Sequence, residues 1–347
     1  MIHLFYLYSG IVARMVPHII DHLQLPTEDI LIVTDRSQSA ASLPARLRTC
    51  HANFLPFRNR WKTLPSDWNA ITRNSRRIDE ITGHRPYTAY LPSPSDFPGQ
   101  QLLWHPHCQR YWLIEEGLGS YCPPGASPVH EKPFTPFQKL QFGLRLRSLA
   151  RIRPSFTDYP HWSAKYAGAF SSNANAFPGF PSPVVNLDQP LYRPVASPIT
   201  RLVIFDDFSV FHAGLQKIYL DVIREVISTE HRPGDHWAYK LHPRCAACPG
   251  LIDDAKRLFD EALPADTPHE ALAPDTCAED LGISPSVTTY GYMSSCLFYI
   301  HQCGGRVASF KHLIEQREPA FHVFWKRFFP PVLEPLVGAY RMIEIPR

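Results

Sequence analysis

Apolar residues enter this chain in short unbroken runs, each followed by a turn residue and then by apolar residues at helical spacing. Ile2 to Tyr8 is almost entirely aliphatic or aromatic and predicts a buried strand. Ser9-Gly10 turns the chain, and Ile11, Val12, Met15, Ile19, Ile20 and Leu23 then mark a helix reaching about Leu25, closed by Pro26. Asp29 to Asp35 is a second apolar run ending in a carboxylate, as a strand of a parallel sheet presents its C-terminal end. Strand, glycine turn, helix and strand predict the opening of a doubly wound α/β domain. Residues 65–82 are polar with helical spacing and carry Arg73, Arg76 and Arg77 on a solvated face. Trp112-Leu113-Ile114 then runs directly into Glu115-Glu116-Gly117, which puts two carboxylates just past a strand end.

The same grammar restarts at Thr200. Leu202 to Phe205 reads as a strand followed by Asp206-Asp207, and a helix is predicted over about His212 to Ser228. Trp237 to Leu241 is the next strand and ends on His242-Pro243. A helix over Leu251 to Leu263, another over Ser294 to Gln302 and a strand over Arg306 to Ser309 follow. Between the halves, Pro154 to Ile199 is rich in Pro, Ser and aromatics, densest at Phe177-Pro178-Gly179-Phe180-Pro181, and reads as a linker. Phe321 to Phe329 predicts a helix with an aromatic face that packs on the first half or meets a membrane. The expected division is an N-terminal domain over 1–198, a C-terminal domain over 199–330, and a tail over 331–347 packing back toward the N-terminal domain.

Composition narrows the picture. A chain of 347 residues favours about two domains, and 44% hydrophobic with 19% charged residues describes a globular protein. The 35 prolines are about twice the usual share of ~5%, many of them in the middle region. A formal charge of +3 implies no nucleic-acid partner. The absence of a run of about 18 apolar residues, and of a basic flank at Met1 to Phe5, predicts a cytoplasmic protein. The basic amphipathic pattern of Phe134 to Arg153 is read as a surface helix, or as a patch for an anionic acceptor or the inner face of a membrane. Eight scattered cysteines read as free thiols, and Cys245-Ala246-Ala247-Cys248 lacks the second close pair that a structural zinc site would want.

Three short stretches carry the chemistry: Glu115-Glu116-Gly117 at a chain reversal, Lys240-Leu241-His242-Pro243 at a strand end, and Ser294-Ser295 opening an apolar helix. A carboxylate can take a proton from a hydroxyl, a histidine can donate to an anion, and hydroxyls with free N–H groups at a helix start can hold a phosphate. Lys240, two residues before His242 on the same strand face, can add charge to one ligand. His105-Pro106 is a second copy of the dipeptide, outside this order. In order and separation the three stretches resemble the acidic-acidic-Gly, His-Pro and Ser-Ser motifs of the bacterial sialyltransferases, in particular the lipooligosaccharide sialyltransferase and polysialyltransferase families.

The resemblance covers those stretches and the two-domain layout. It implies a GT-B-like α/β fold, with two Rossmann-like lobes facing each other across a cleft. It also implies an inverting glycosyltransferase that moves sialic acid from CMP-sialic acid to an oligosaccharide or glycolipid acceptor, with no metal or other cofactor required. Matched residue by residue, Glu116 takes the base position with Glu115 and Gly117 beside it. His242 and Pro243 take the His-Pro position and Ser294 and Ser295 the serine pair, while Lys240 is a further phosphate contact; which of Glu115 and Glu116 is the base stays open. CMP-Kdo transferases share the acidic and His-Pro features, so Kdo is the alternative donor sugar. From a different class, a non-catalytic binding protein on the same scaffold, holding zinc through Cys245 and Cys248, is the competing expectation.

Overall fold

The computed structural model describes residues 1–7, 9–34, 43–55, 64–92, 97–123, 163–181, 183–187, 191–208, 213–242, 245, 248–319, 321, 335, 338 and 340–343. The chain divides into two compact units, Met1–Leu191 and Tyr192–Arg347. Each is an α/β domain built on one parallel sheet.

The first sheet has seven strands: β1 (Ile2–Leu7), β2 (Ile30–Thr34), β3 (Thr49–His51), β4 (Tyr87–Leu91), β5 (Cys108–Ile114), β6 (Tyr166–Ser171) and β7 (Val184–Asn186). Their order is β3-β2-β1-β4-β5-β6-β7, with every pairing parallel. Helices α1 (Gly10–Leu23), α2 (Leu64–Thr82) and α3 (Phe97–Trp104) belong to this domain. β1, β2 and β4 are buried almost end to end, the property of strands covered on both faces that made their runs continuous in sequence. α1 buries Ile11, Val12, Met15, Val16, Ile19 and Ile20, the helical stripe expected there, and ends in a left-handed Gln24.

The second sheet has six strands: β8 (Arg201–Ile204), β9 (Trp237–Lys240), β10 (His269–Ala271), β11 (Thr288–Gly291), β12 (Arg306–Ser309) and β13 (Arg341–Met342). Their order is β10-β9-β8-β11-β12-β13, again all parallel. The helices are α4 (Ala213–Glu230), α5 (Pro249–Ala262), α6 (Ala278–Gly282), α7 (Ser295–Gln302) and α8 (Lys311–Arg317). Both sheets therefore carry the 3-2-1-4-5-6 order of a Rossmann-like domain, which reverses beside the first strand; ligands of such folds bind at that reversal, outside the strands' carboxyl ends.

Two expectations are corrected. The stretch Pro154 to Ile199 is not simply a linker, because it contributes β6 and β7 to the first sheet. β6 reads Tyr-Ala-Gly-Ala-Phe-Ser and lacks the β-branched signal of a strand. Gly168 is required there, since a Cβ would sit 2.5 Å from both the Trp112 ring and the Pro183 carbonyl, and its φ is +142°. The tail from 331 was expected against the first domain. Its described end instead pairs Arg341–Met342 with β12, buries Tyr340 and Ile343, and ties Arg341 to Glu230 of α4 at 2.7 Å. The basic stretch Phe134 to Arg153 lies outside the described residues, as does the aromatic tail helix apart from Phe321.

Candidate functional site

In the second domain, register brings distant residues to one rung. Ile204 of β8 stands opposite Lys240 of β9 on one side and Gly291 of β11 on the other. Two residues beyond that rung lie Asp206, His242 and Met293, and Ser294 follows at once. Sheet strands are spaced by about 4.8 Å, so the His-Pro and serine-pair segments leave the sheet about 10 Å apart with β8 between them.

Asp206 is the buried centre of this edge. It is 6% exposed, and its Oδ2 accepts from the Tyr219 hydroxyl at 3.2 Å and from the amides of Tyr292 and Met293 at 3.3 and 3.5 Å. The Tyr219 hydroxyl in turn accepts the Asp206 amide at 2.9 Å. Burial pushes the Asp206 carboxyl up to about 7, against the pull of the Met293 amide, the Tyr219 hydroxyl and the Tyr292 amide. The carboxyl thus fixes the β11–α7 turn against the end of β8, and that turn delivers the serine pair. Ser294 is the N-cap of α7, its hydroxyl accepting from the Cys296 amide at 3.2 Å, and Ser295 is the first helical residue. Both are half-exposed.

His242 is 38% exposed, with Nδ1 4.0 Å from Asp207 Oδ1. The Cys245 thiol donates to the Asp206 carbonyl at 3.6 Å and to Asp207 Oδ1 at 3.9 Å. Cys245 and Cys248 gather no third metal ligand among the described residues, so the zinc expectation finds no ligand set there. Pro243 lies outside the described residues. Lys240 departs from the expected phosphate contact: its Nζ donates to the carbonyls of Thr276 and, at 3.2 Å, Pro274. The cause is geometric, because Lys240 is the last residue of β9 and the 272–277 loop returns over the same edge from β10.

In the first domain the acidic motif sits past the end of β5. Glu115 is fully buried and accepts from the Tyr121 hydroxyl at 2.7 Å, the Ser172 amide at 2.6 Å and the Ser172 hydroxyl at 2.9 Å. Burial, followed by the Glu115 charge, raises the Tyr121 phenol well above its ordinary range. Glu116 is half-exposed, its amide donating to Ser120 Oγ at 2.8 Å. Gly117, at φ +63°, then reverses the chain into a 3-10 turn over Gly117–Tyr121. A cavity of about 400 Å³ opens beside Ser171, Asn175, Phe177 and Asn186. Its wall is tied to the same turn by the Phe177 amide donating to the Ser120 carbonyl at 2.7 Å. This volume is within the range of small-ligand pockets, about 300–1,000 Å³.

Asp206, Tyr219 and Ser172 were missed as site residues. The sequence placed Asp206-Asp207 after a strand, but the burial of Asp206 depends on β8 lying beside β11, and β11 itself was not recognised. Its Thr-Thr-Tyr-Gly, four residues rich in β-branched and aromatic side chains, was the available signal.

No family model matches the chain and no curated protein matches it. Solved structures similar to it include the UDP-GlcNAc 2-epimerase from Neisseria meningitidis bound to UDP-GlcNAc. That likeness has 10% identity, 94% of this chain and 93% of that one covered, and a TM-score of 0.47. The UDP complex of MnaA from S. aureus is similar at 8% identity, covering 94% and 90%, with a TM-score of 0.49. The glycotransferase of kitacinnamycin is similar at 10% identity, covering 99% and 86%, with a TM-score of 0.44. At such identities and scores the likenesses do not bear on substrate or reaction.

Proposed function

We propose that this protein is an inverting glycosyltransferase that uses a CMP-activated acid sugar, sialic acid or Kdo, and that its C-terminal domain holds the donor. The observation that carries the reading is the common rung. His242 and the Ser294–Ser295 pair, 52 and 53 residues apart in sequence, flank the carboxyl end of β8 at the strand-order reversal of the second sheet. One anionic ligand on that edge can meet the imidazole that follows β9 and the serine hydroxyls at the start of α7.

In the proposed reaction the acceptor hydroxyl oxygen attacks the anomeric carbon while the bond to the CMP oxygen breaks. The hydroxyl proton passes to a carboxylate, assigned to Glu116 by motif match. Glu115, with its oxygens engaged by Tyr121 and Ser172, holds the turn in shape. The bonding pair leaves with CMP, where His242 and the serine pair stabilise the added charge. The 400 Å³ cavity beside the acidic turn is the candidate acceptor subsite.

Melting curves with CMP, UDP and GDP test the nucleotide. A ligand specific for the native state adds about 2.7 kcal/mol at a hundredfold excess over Kd. CMP is expected to raise Tm, less so in His242→Ala, and stabilisation by UDP with none by CMP would overturn the cytidine assignment. Incubation with CMP-sialic acid and with CMP-Kdo then identifies the sugar by release of CMP. Release from neither overturns the transferase reading.

A further inference from the structure

Away from the carboxyl edges, three histidines converge on one carboxylate at the amino end of the first sheet. Asp79 Oδ1 lies 3.6 Å from His84 Nδ1, 3.4 Å from His107 Nε2 and 3.5 Å from His105 Nε2. One ligand atom from each of Asp79, His84 and His107 falls within 4.8 Å of the other two. These separations are long for hydrogen bonds, whose usual range ends near 3.2 Å. They match the edge of a tetrahedron of ligands on arms of about 2.0–2.2 Å, which is about 3.3–3.6 Å.

The backbone is built to make this meeting. Asp79 is in the last turn of α2, and Gly83 and His84 follow at φ +59° and +57°. The His84 amide donates to the Asp79 carbonyl at 3.0 Å, which folds the residue after the helix back over it. A left-handed histidine is uncommon, and here it turns the ring toward the carboxylate of its own helix. His107 comes from the turn that enters β5. Between them, buried His105 accepts the His107 amide on Nδ1 at 3.3 Å, has the Ser75 backbone as a further partner, and turns its Nε2 toward Asp79 at 3.5 Å. That is the outer partner a ligating carboxylate commonly has. The Lys165 ammonium lies close by, its Nζ near the carbonyls of Leu103 and His105 at 3.5 and 3.4 Å.

We propose that Asp79, His84 and His107 bind one divalent ion of the zinc type, with water in the fourth position, and that the ion clasps the end of α2 to the turn before β5. Two imidazoles and a carboxylate suit Zn²⁺ and its borderline neighbours rather than Mg²⁺ or Ca²⁺, which take all-oxygen sites. His105 positions the carboxylate and is not a ligand.

The test is titration of untagged, EDTA-treated protein with ZnCl₂, read by calorimetry and by melting, with Co²⁺ as the spectroscopic probe. One ion per chain is expected at this site, with a rise in Tm and Co²⁺ bands free of thiolate charge transfer. His84→Ala alters an exposed side chain. It is expected to melt in EDTA like the wild type and to bind zinc at least about tenfold more weakly. Asp79→Asn and His107→Gln should behave likewise and guard against misfolding of any one variant. Zinc that leaves Tm unchanged, or affinity retained in His84→Ala and His107→Gln, would overturn the proposal. A thiolate band with Co²⁺ would do the same, by assigning the uptake to cysteines. None of these readouts depends on the transferase reading.

Discussion

In the first domain the buried carboxylate of the carboxyl edge is Glu115, past the fifth strand and well to one side of the strand-order reversal. In the second it is Asp206, past the first strand and at the reversal itself. Glu115 meets three donors at 2.6–2.9 Å, two of them from Ser172 beyond β6, and so it fastens neighbouring loops. Asp206 meets its donors at 3.2–3.5 Å, two of them amides of the turn into α7. Two sheets of one strand order thus use a buried carboxylate differently: one ties a loop cluster beside Glu116, the other fixes the turn into α7. At Asp206 desolvation outweighs the hydrogen bonds from the Met293 amide, the Tyr219 hydroxyl and the Tyr292 amide, and its pKa is raised.

The largest effect that would sharpen this contrast is expected at Glu115. Removing its side chain in Glu115→Ala takes the acceptor from the half-exposed Ser172 amide and hydroxyl and from the buried Tyr121 hydroxyl. The expected loss is about 3–5 kcal/mol in urea unfolding. Glu115→Gln keeps an acceptor oxygen and should lose less. A loss under about 1 kcal/mol for the alanine variant would mean that the loop cluster is held by something else.

Glu116 should show the opposite profile. Glu116→Gln is expected to unfold like the wild type and to bind CMP unchanged, while transfer falls about a hundredfold or more, about 2.7 kcal/mol in the barrier. If Glu115→Gln folds normally and is inactive while Glu116→Gln transfers normally, the two roles are exchanged.

How far the sequence went is visible in these same elements. β1, α1, β2, β8, β9 and β12 were legible because apolar runs bounded by Gly, Pro or acidic residues are what doubly covered strands require. The end that carries His242 followed from β9, Glu115 from the apolar run Trp112-Leu113-Ile114, and Ser294 from the apolar helix it opens. β6 was hidden by Ala and Gly, residues chosen for close approach to Trp112 rather than for strand propensity. Asp206 was legible as a position but not as a buried group, since burial comes from a neighbour 86 residues away. The His84–Asp79–His107 cluster depends on a left-handed turn and on the β4–β5 pairing, neither of which leaves a motif.

Asp206 also carries a pH signature. Its folded pKa of about 7 stands above the ordinary unfolded value near 3.9, so the folded state binds this proton more tightly. The stability it contributes is complete below about pH 4 and is lost as pH rises through about 7. Asp206→Asn keeps an acceptor for the Tyr292 and Met293 amides and does not titrate. The stability of the wild type relative to this variant is therefore expected to fall by on the order of 2 kcal/mol between pH 5 and 7.5, and to be flat above. A difference that stays constant with pH, or that grows with it, would show Asp206 to be ionised in the fold.

The smallest effect is expected at Lys240, and it tests whether the second edge is set before a ligand arrives. With Nζ donating to the Thr276 and Pro274 carbonyls, Lys240 acts as a tie between the end of β9 and the 272–277 loop. Its charge also reaches the Cys296 thiol at the start of α7. Lys240→Ala frees two carbonyls at a half-exposed position where water can replace the ammonium, so the stability change should stay within about 1 kcal/mol. Nucleotide affinity should shift by less than about threefold, since a charge already engaged by carbonyls and screened by solvent adds little to an anion beyond them. His242→Ala, at the same strand end, should weaken CMP more. A tenfold or larger loss of CMP affinity in Lys240→Ala, with stability unchanged, would mean that the ammonium leaves the loop for the phosphate on binding. The donor edge of the second domain would then be completed by its ligand, while the edge around Glu115 is complete without one.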